Sequence, residues 1–153
     1  MNKKGFTLIE LLAVIVVLGV VLILAMPIIL DSINASRNAS YKVLMGNIKT
    51  AAETYYQECE YGDLSNKAKY GNYACAINNN IITTTIGALA NTGILKVAAD
   101  ESGNLIVNDP RDTTKNLNSC AIQIVKKVDS NFKVTYQING SDQAGCPTSE
   151  DLQ

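Results

Sequence analysis

The sequence predicts an α+β chain in which one long N-terminal α-helix packs against a small antiparallel β-sheet, and three stretches carry that prediction. Leu11 to Leu30 is a run of twenty residues without a charge. Beyond it, Ile33, Tyr41, Leu44, Ile48, Ala51, Ala52 and Tyr55 fall at spacings that share one helical face, while Asn34, Asn38, Lys42, Lys49 and Glu53 occupy others. Near the other end, Phe132, Val134, Tyr136 and Ile138 alternate with Lys133, Thr135, Gln137 and Asn139, the period-two pattern of a sheet with one covered face.

Taken in order, the chain opens with Lys3-Lys4-Gly5 and Phe6-Thr7-Leu8-Ile9-Glu10 before the apolar run. At about 1.5 Å per residue that run makes a helix roughly 30 Å long, enough to span a bilayer's hydrocarbon core. Lys3 and Lys4 place the N-terminus on the cytoplasmic side and send everything after Leu30 outward. Glu10 sits inside the apolar block counted from Phe6, and a carboxylate so placed calls for a cationic partner. Gly19 and Pro27 weaken the helix, one by backbone entropy and one by removing an N–H and crowding the preceding turn. Membrane helices also tolerate such residues. A secretory signal peptide would use the same lysines and apolar core, but Asp31-Ser32-Ile33-Asn34 follows the run where a small-residue cleavage site is needed.

The run Lys3-Lys4-Gly5-Phe6-Thr7-Leu8-Ile9-Glu10 resembles the processing site of type IV prepilins and of the related pseudopilins of type II secretion and DNA-uptake machines. The resemblance covers residues 1 to 30 and implies the type IV pilin fold, with a leader (1–5), a transmembrane and filament-core half-helix (6–30), and an extracellular globular domain (31–153) that includes the helix's amphipathic second half. It implies that a membrane prepilin peptidase cuts after Gly5 and N-methylates Phe6. It also supplies the partner for Glu10, the Phe6 amine of a neighbouring subunit, and makes Gly19 and Pro27 a segment that can lose helicity in the filament. The partners so implied are identical or related pilin subunits, the membrane before assembly, and an assembly platform with its ATPase. The implied locations are the inner (cytoplasmic) membrane, spanned once, and then the extracellular pilus.

The helix is predicted to continue from Phe6 to about Glu58, on the order of 80 Å. Cys59 to Thr85 has loop composition, including Tyr61-Gly62-Asp63, Tyr70-Gly71-Asn72-Tyr73 and Asn78-Asn79-Asn80. Thr85 to Leu95 reads as a short helical turn stopped by Gly93. Ile94–Ala98 and Leu105–Val107 are expected as short strands around Asp100-Glu101-Ser102-Gly103. Ala121–Val128 and the strand begun at Phe132 form a hairpin turned by Asp129-Ser130-Asn131, its apolar face laid on the helix stripe from Tyr41 to Tyr55.

Four cysteines, all beyond the membrane run, fit an oxidising compartment. They allow three pairings, and sequence does not choose among them. The favoured arrangement joins Cys59 to Cys75, tying the loop to the helix end, and Cys120 to Cys146, stapling the tail across the hairpin. Their spacings contain no Cys-x-x-Cys pair, so no metal is expected. Asp100, Glu101, Asp109 and Asp112 form a loose acidic group without the spacing of a calcium loop.

With no histidine, no Gly-rich phosphate loop and no paired acids, neither a catalytic site nor a cofactor is expected. Formal charge is −1, and −3 once Lys3 and Lys4 are removed, so no basic field invites nucleic acid. The leading expectation is a structural subunit of a type IV pilus. The alternative is a pseudopilin or minor pilin of a secretion or competence filament, and a third class is a membrane-tethered binding module.

Overall fold

A computed structural model of the chain describes residues 7–62 and 75–153. Helix α1 (Leu8–Tyr61) runs for 54 residues, a few beyond the predicted end. It contributes to two units, Met1–Asn38 and Ala39–Gln153.

In the first unit α1 is apolar on every side. Every large apolar side chain from Leu8 to Leu30 is exposed. Gly19 and Pro27 lie within unbroken helix. Pro27 has no N–H to donate to the Ile23 carbonyl, and the regular turns on either side carry the backbone through. This is the one described helix long and apolar enough to cross a membrane.

In the second unit α1 becomes amphipathic and buries Tyr41, Met45, Ile48, Ala51, Ala52, Tyr55, Tyr56 and Cys59. The stripe expected to begin at Ile33 begins at Tyr41, since Ile33 is 42% exposed, and Met45 fills a position that the spacing left out. Against this face lies a three-stranded antiparallel sheet in the order β1-β4-β5, formed by β1 (Ile81–Thr85), β4 (Ala121–Val128) and β5 (Val134–Asn139). Ile82 pairs with Ile124 and Ile124 with Ile138, so one buried isoleucine row crosses all three strands. Tyr56 meets Tyr136 at 5.3 Å between ring centroids. Lys126 Nζ donates to both Glu60 carboxylate oxygens at 2.7 Å, joining β4 to the last turn of α1. That bond raises the lysine's pKa and lowers the carboxyl's.

Strand β1 corrects the prediction of loop through Thr85. Asn79 and Asn80 both take positive φ, 49° and 62°, and the Asn78 and Ile81 backbones exchange hydrogen bonds around them. Asparagine tolerates that left-handed pair, so the turn releases the β-branched run Ile81–Thr85 directly into the sheet. The part of the predicted loop at 63–74 lies outside the described residues.

Helix α2 (Ile86–Asn91) follows, with the Thr85 hydroxyl accepting from the Ala88 N–H at 3.2 Å and Gly93 beyond the end at φ 75°. A side chain at Gly87 would come within 2.8 Å of the Asn118 carbonyl, which accepts the Gly87 N–H.

The strands expected at Ile94–Ala98 and Leu105–Val107 are not formed; the segments share one isolated bridge, Ala99 to Leu105. Asp100 closes that turn on itself by accepting from the Ser102 and Asn104 N–H groups. Leu105 and Val107 are tied instead to Asn118, whose side chain donates to the Leu105 carbonyl and accepts from the Val107 N–H. The second sheet is the pair β2 (Asn108–Asp109) and β3 (Asp112–Asn116).

Candidate assembly surface

The start of α1 explains how Glu10 is held. Thr7 precedes the first helical residue, and its backbone N–H and its hydroxyl both donate to Glu10 Oε2, at 2.9 and 2.7 Å. Thr7-x-x-Glu10 has the spacing of a capping box, in which an acid reaches back to a donor that the first helical turn leaves open. A carboxylate there also lies at the positive end of the helix dipole. Thr7 is thus a positioning residue for Glu10 that the apolar pattern concealed, although the Thr-x-x-Glu spacing was legible. Gly5 and Phe6 lie outside the described residues.

Behind Glu10 come the exposed apolar side chains from Leu11 to Leu30. Exposed apolar patches larger than a few hundred Å² mark protein or membrane contacts, and this one encircles its helix. Covering a Leu, Ile or Val side chain is worth about 1.5–3 kcal/mol. The surface is therefore stable only against lipid or other helices. No added Cβ at Gly19 would meet anything within 4 Å, so nothing in the chain itself calls for glycine there.

The other singled-out residues serve the second unit. Cys59 bonds to Cys75 and Cys120 to Cys146, the arrangement favoured above. The acids do not converge. Asp100 caps its own turn, Asp112 accepts from Thr114, and Asp109 pairs with Arg111. Among the described residues no three cysteines or acids are grouped to hold a metal.

Arg111 makes a contact that no spacing indicated. Its guanidinium lies 3.3 Å from the centroid of the Tyr41 ring and donates to both oxygens of Asp109. Burial drives the Tyr41 hydroxyl up to about 12, against the opposing pull of the Arg111 charge. Burial raises the Asp109 carboxyl, and the hydrogen bonds and charge of Arg111 together hold it below the usual carboxylate range.

Residues 1–26 match the family model described as the prokaryotic N-terminal methylation motif. The chain is 28% identical over 102 residues to the fimbrial protein EcpC of Eikenella corrodens, a match covering 66% of this chain and 65% of that relative, just under two thirds of its length. No solved structure matches. The methylation motif and the fimbrial relative are what this chain resembles, and its long N-terminal helix with a small antiparallel sheet is an α+β arrangement consistent with the type IV pilin fold.

Proposed function

We propose that this chain is a structural subunit of a type IV pilus, made as a precursor, cut after Gly5, N-methylated on Phe6 and assembled through its N-terminal helix. The observation that carries the reading is the exposed apolar surface of Leu11–Leu30 directly behind a carboxylate fixed in the first helical turn. Before assembly that surface is covered by the cytoplasmic membrane. In the filament it is covered by the same segment of sister subunits.

The Phe6 amine, freed by the cut, pairs with Glu10 of a neighbouring subunit. Both Thr7 donors fall on Oε2, and Oε1 accepts no bond among the described residues, which suits a second, external cation. In a dry helix bundle desolvation offsets much of the attraction, so the pair acts mainly by selecting axial register. Gly19 and Pro27 provide the place where helicity is surrendered as the subunit leaves the membrane. A prepilin peptidase, an assembly platform and an ATPase are the partners this route requires.

Intact mass and N-terminal analysis of protein sheared from cells test the reading, alongside Glu10→Val and Gly5→Glu. The native chain is expected to lack residues 1–5 and to carry one methyl group on Phe6. Glu10→Val is expected to be cut but absent from the sheared fraction, and Gly5→Glu to remain full length. Normal filaments from Glu10→Val would refute the pairing, and maturation of Gly5→Glu would refute the cleavage site.

A further inference from the structure

The alternation of β5 predicts Phe132 on the covered face of the sheet. The structure instead puts it in the β4–β5 turn, 88% exposed, with φ 60°. Asp129 builds this turn. Its carboxylate accepts from the Asn131 and Lys133 N–H groups, its N–H donates to the Lys133 carbonyl, and its carbonyl accepts from the Phe132 N–H. Closure leaves position 132 left-handed, where glycine or asparagine fits and a bulky side chain is strained. The aromatic ring is therefore both strained and wet, and the turn gains nothing from it. Backbone strain held by over-determined surroundings points to a use for the residue.

The surroundings indicate what the ring meets. Val128 and Val134 are cross-strand partners beside it, 52% and 43% exposed, and Lys127 and Lys133 flank them in solvent. Lys126 is neutralised by Glu60, so the tip from Lys127 to Lys133 holds two lysines and one aspartate, a formal charge of +1; taking this from the mature −3 leaves −4 on the rest of the chain. The tip is a basic, apolar knob on an acidic subunit. Nucleic acid and anionic lipid would be repelled by the rest of that subunit, whereas a second copy offers the complementary charge. Helical filaments are built from heterologous contacts, in which a knob meets a different surface of its neighbour.

We infer that the β4–β5 tip, with Phe132 at its apex, docks onto an acidic surface of a second copy of this chain. The inference rests on the filament reading above. Its test uses the full chain in filament-forming cells, with Phe132→Asn and, separately, a photoreactive benzoyl-phenylalanine in place of Phe132. Asparagine accepts the left-handed backbone without the ring, so the detergent-solubilised subunit is expected to keep its Tm or gain a few degrees. Filaments of the variant are expected to release about tenfold or more subunit on mild heating, the scale of losing one aromatic anchor. The photoreactive chain is expected to crosslink to another copy of itself.

Variant filaments as heat-resistant as the native ones, a lowered subunit Tm, or crosslinks confined to other proteins would each overturn the inference while leaving the filament reading intact. Absence of filaments from the unmodified chain would overturn both.

Discussion

Arg111→Met should destabilise the second unit by about 2–3 kcal/mol at neutral pH, and the deficit should shrink in acid. The Asp109 side chain is 4% exposed and receives three side-chain hydrogen bonds, at 2.8 to 3.3 Å, from Arg111. Removing one member of a buried ion pair typically costs about 3–5 kcal/mol, because the remaining charge is left without solvent or partner. Here the Arg111 side chain is itself 44% exposed, so water enters when it is truncated, which places the cost at or below the low end of that range. Methionine keeps an apolar stem over Tyr41, so loss of packing adds little.

The pH dependence follows from Asp109. In the native chain its pKa is below the ordinary value, so its contribution is present above the unfolded pKa and lost as pH falls through the folded one. Without Arg111, burial is left with only the weaker Lys115 attraction and the Arg111 N–H bond against it, and Tyr41 and Asp151 are also near. The carboxyl then rises and takes up a proton more readily folded than unfolded, so acid favours the folded variant. Urea titrations of the detergent-solubilised chain, followed by the near-ultraviolet tyrosine signal, compare native and variant between about pH 7 and pH 3. The chain has seven tyrosines and no tryptophan, and four of the tyrosines lie in or against the core, so that signal reports the second unit. A deficit below about 0.5 kcal/mol at neutral pH, or two parallel pH profiles, would refute the account of Asp109 as a buried charge held by Arg111.

Leu152→Ala should cost about 2–4 kcal/mol, measured by the same titration, since Leu152 is fully buried although it lies next to the last residue. Replacing Cys120 and Cys146 together by serine should cost about 3 kcal/mol in the chain-entropy account of a 26-residue separation, and a reducing agent should lower the Tm of the native chain but not of a variant lacking all four cysteines. Gly87→Ala should destabilise by about 1–3 kcal/mol because the new methyl group meets the Asn118 carbonyl, whereas Gly46→Ala, where nothing lies within 4 Å, should stabilise by a few tenths to 1 kcal/mol in the same assay.

Sequence alone determined the elements whose signals are local and repetitive. An uncharged run from Leu11 to Leu30 can only be a lipid- or helix-covered segment, and Ala121–Val128 with Val134–Ile138 announces a hairpin because alternate side chains face opposite sides of a strand. Lys3, Lys4 and Glu10 carry a resemblance to type IV prepilins that agrees with the match to the methylation motif and with the similarity to a fimbrial protein.

Tertiary structure decided whatever depends on turn closure, register or partners remote in the chain. The paired left-handed asparagines turned an expected loop into β1, while the Asp129 turn took Phe132 out of the strand pattern that seemed to claim it and put it into solvent. Arg111 reaches Tyr41, seventy residues away, by a contact that periodicity does not encode, and the choice among three cysteine pairings waited on which chain segments lie about 5.5 Å apart. Periodicity records which face of an element is covered; long-range packing decides what covers it, and leaves Phe132 and the helix from Leu8 to Leu30 as surfaces still to be covered.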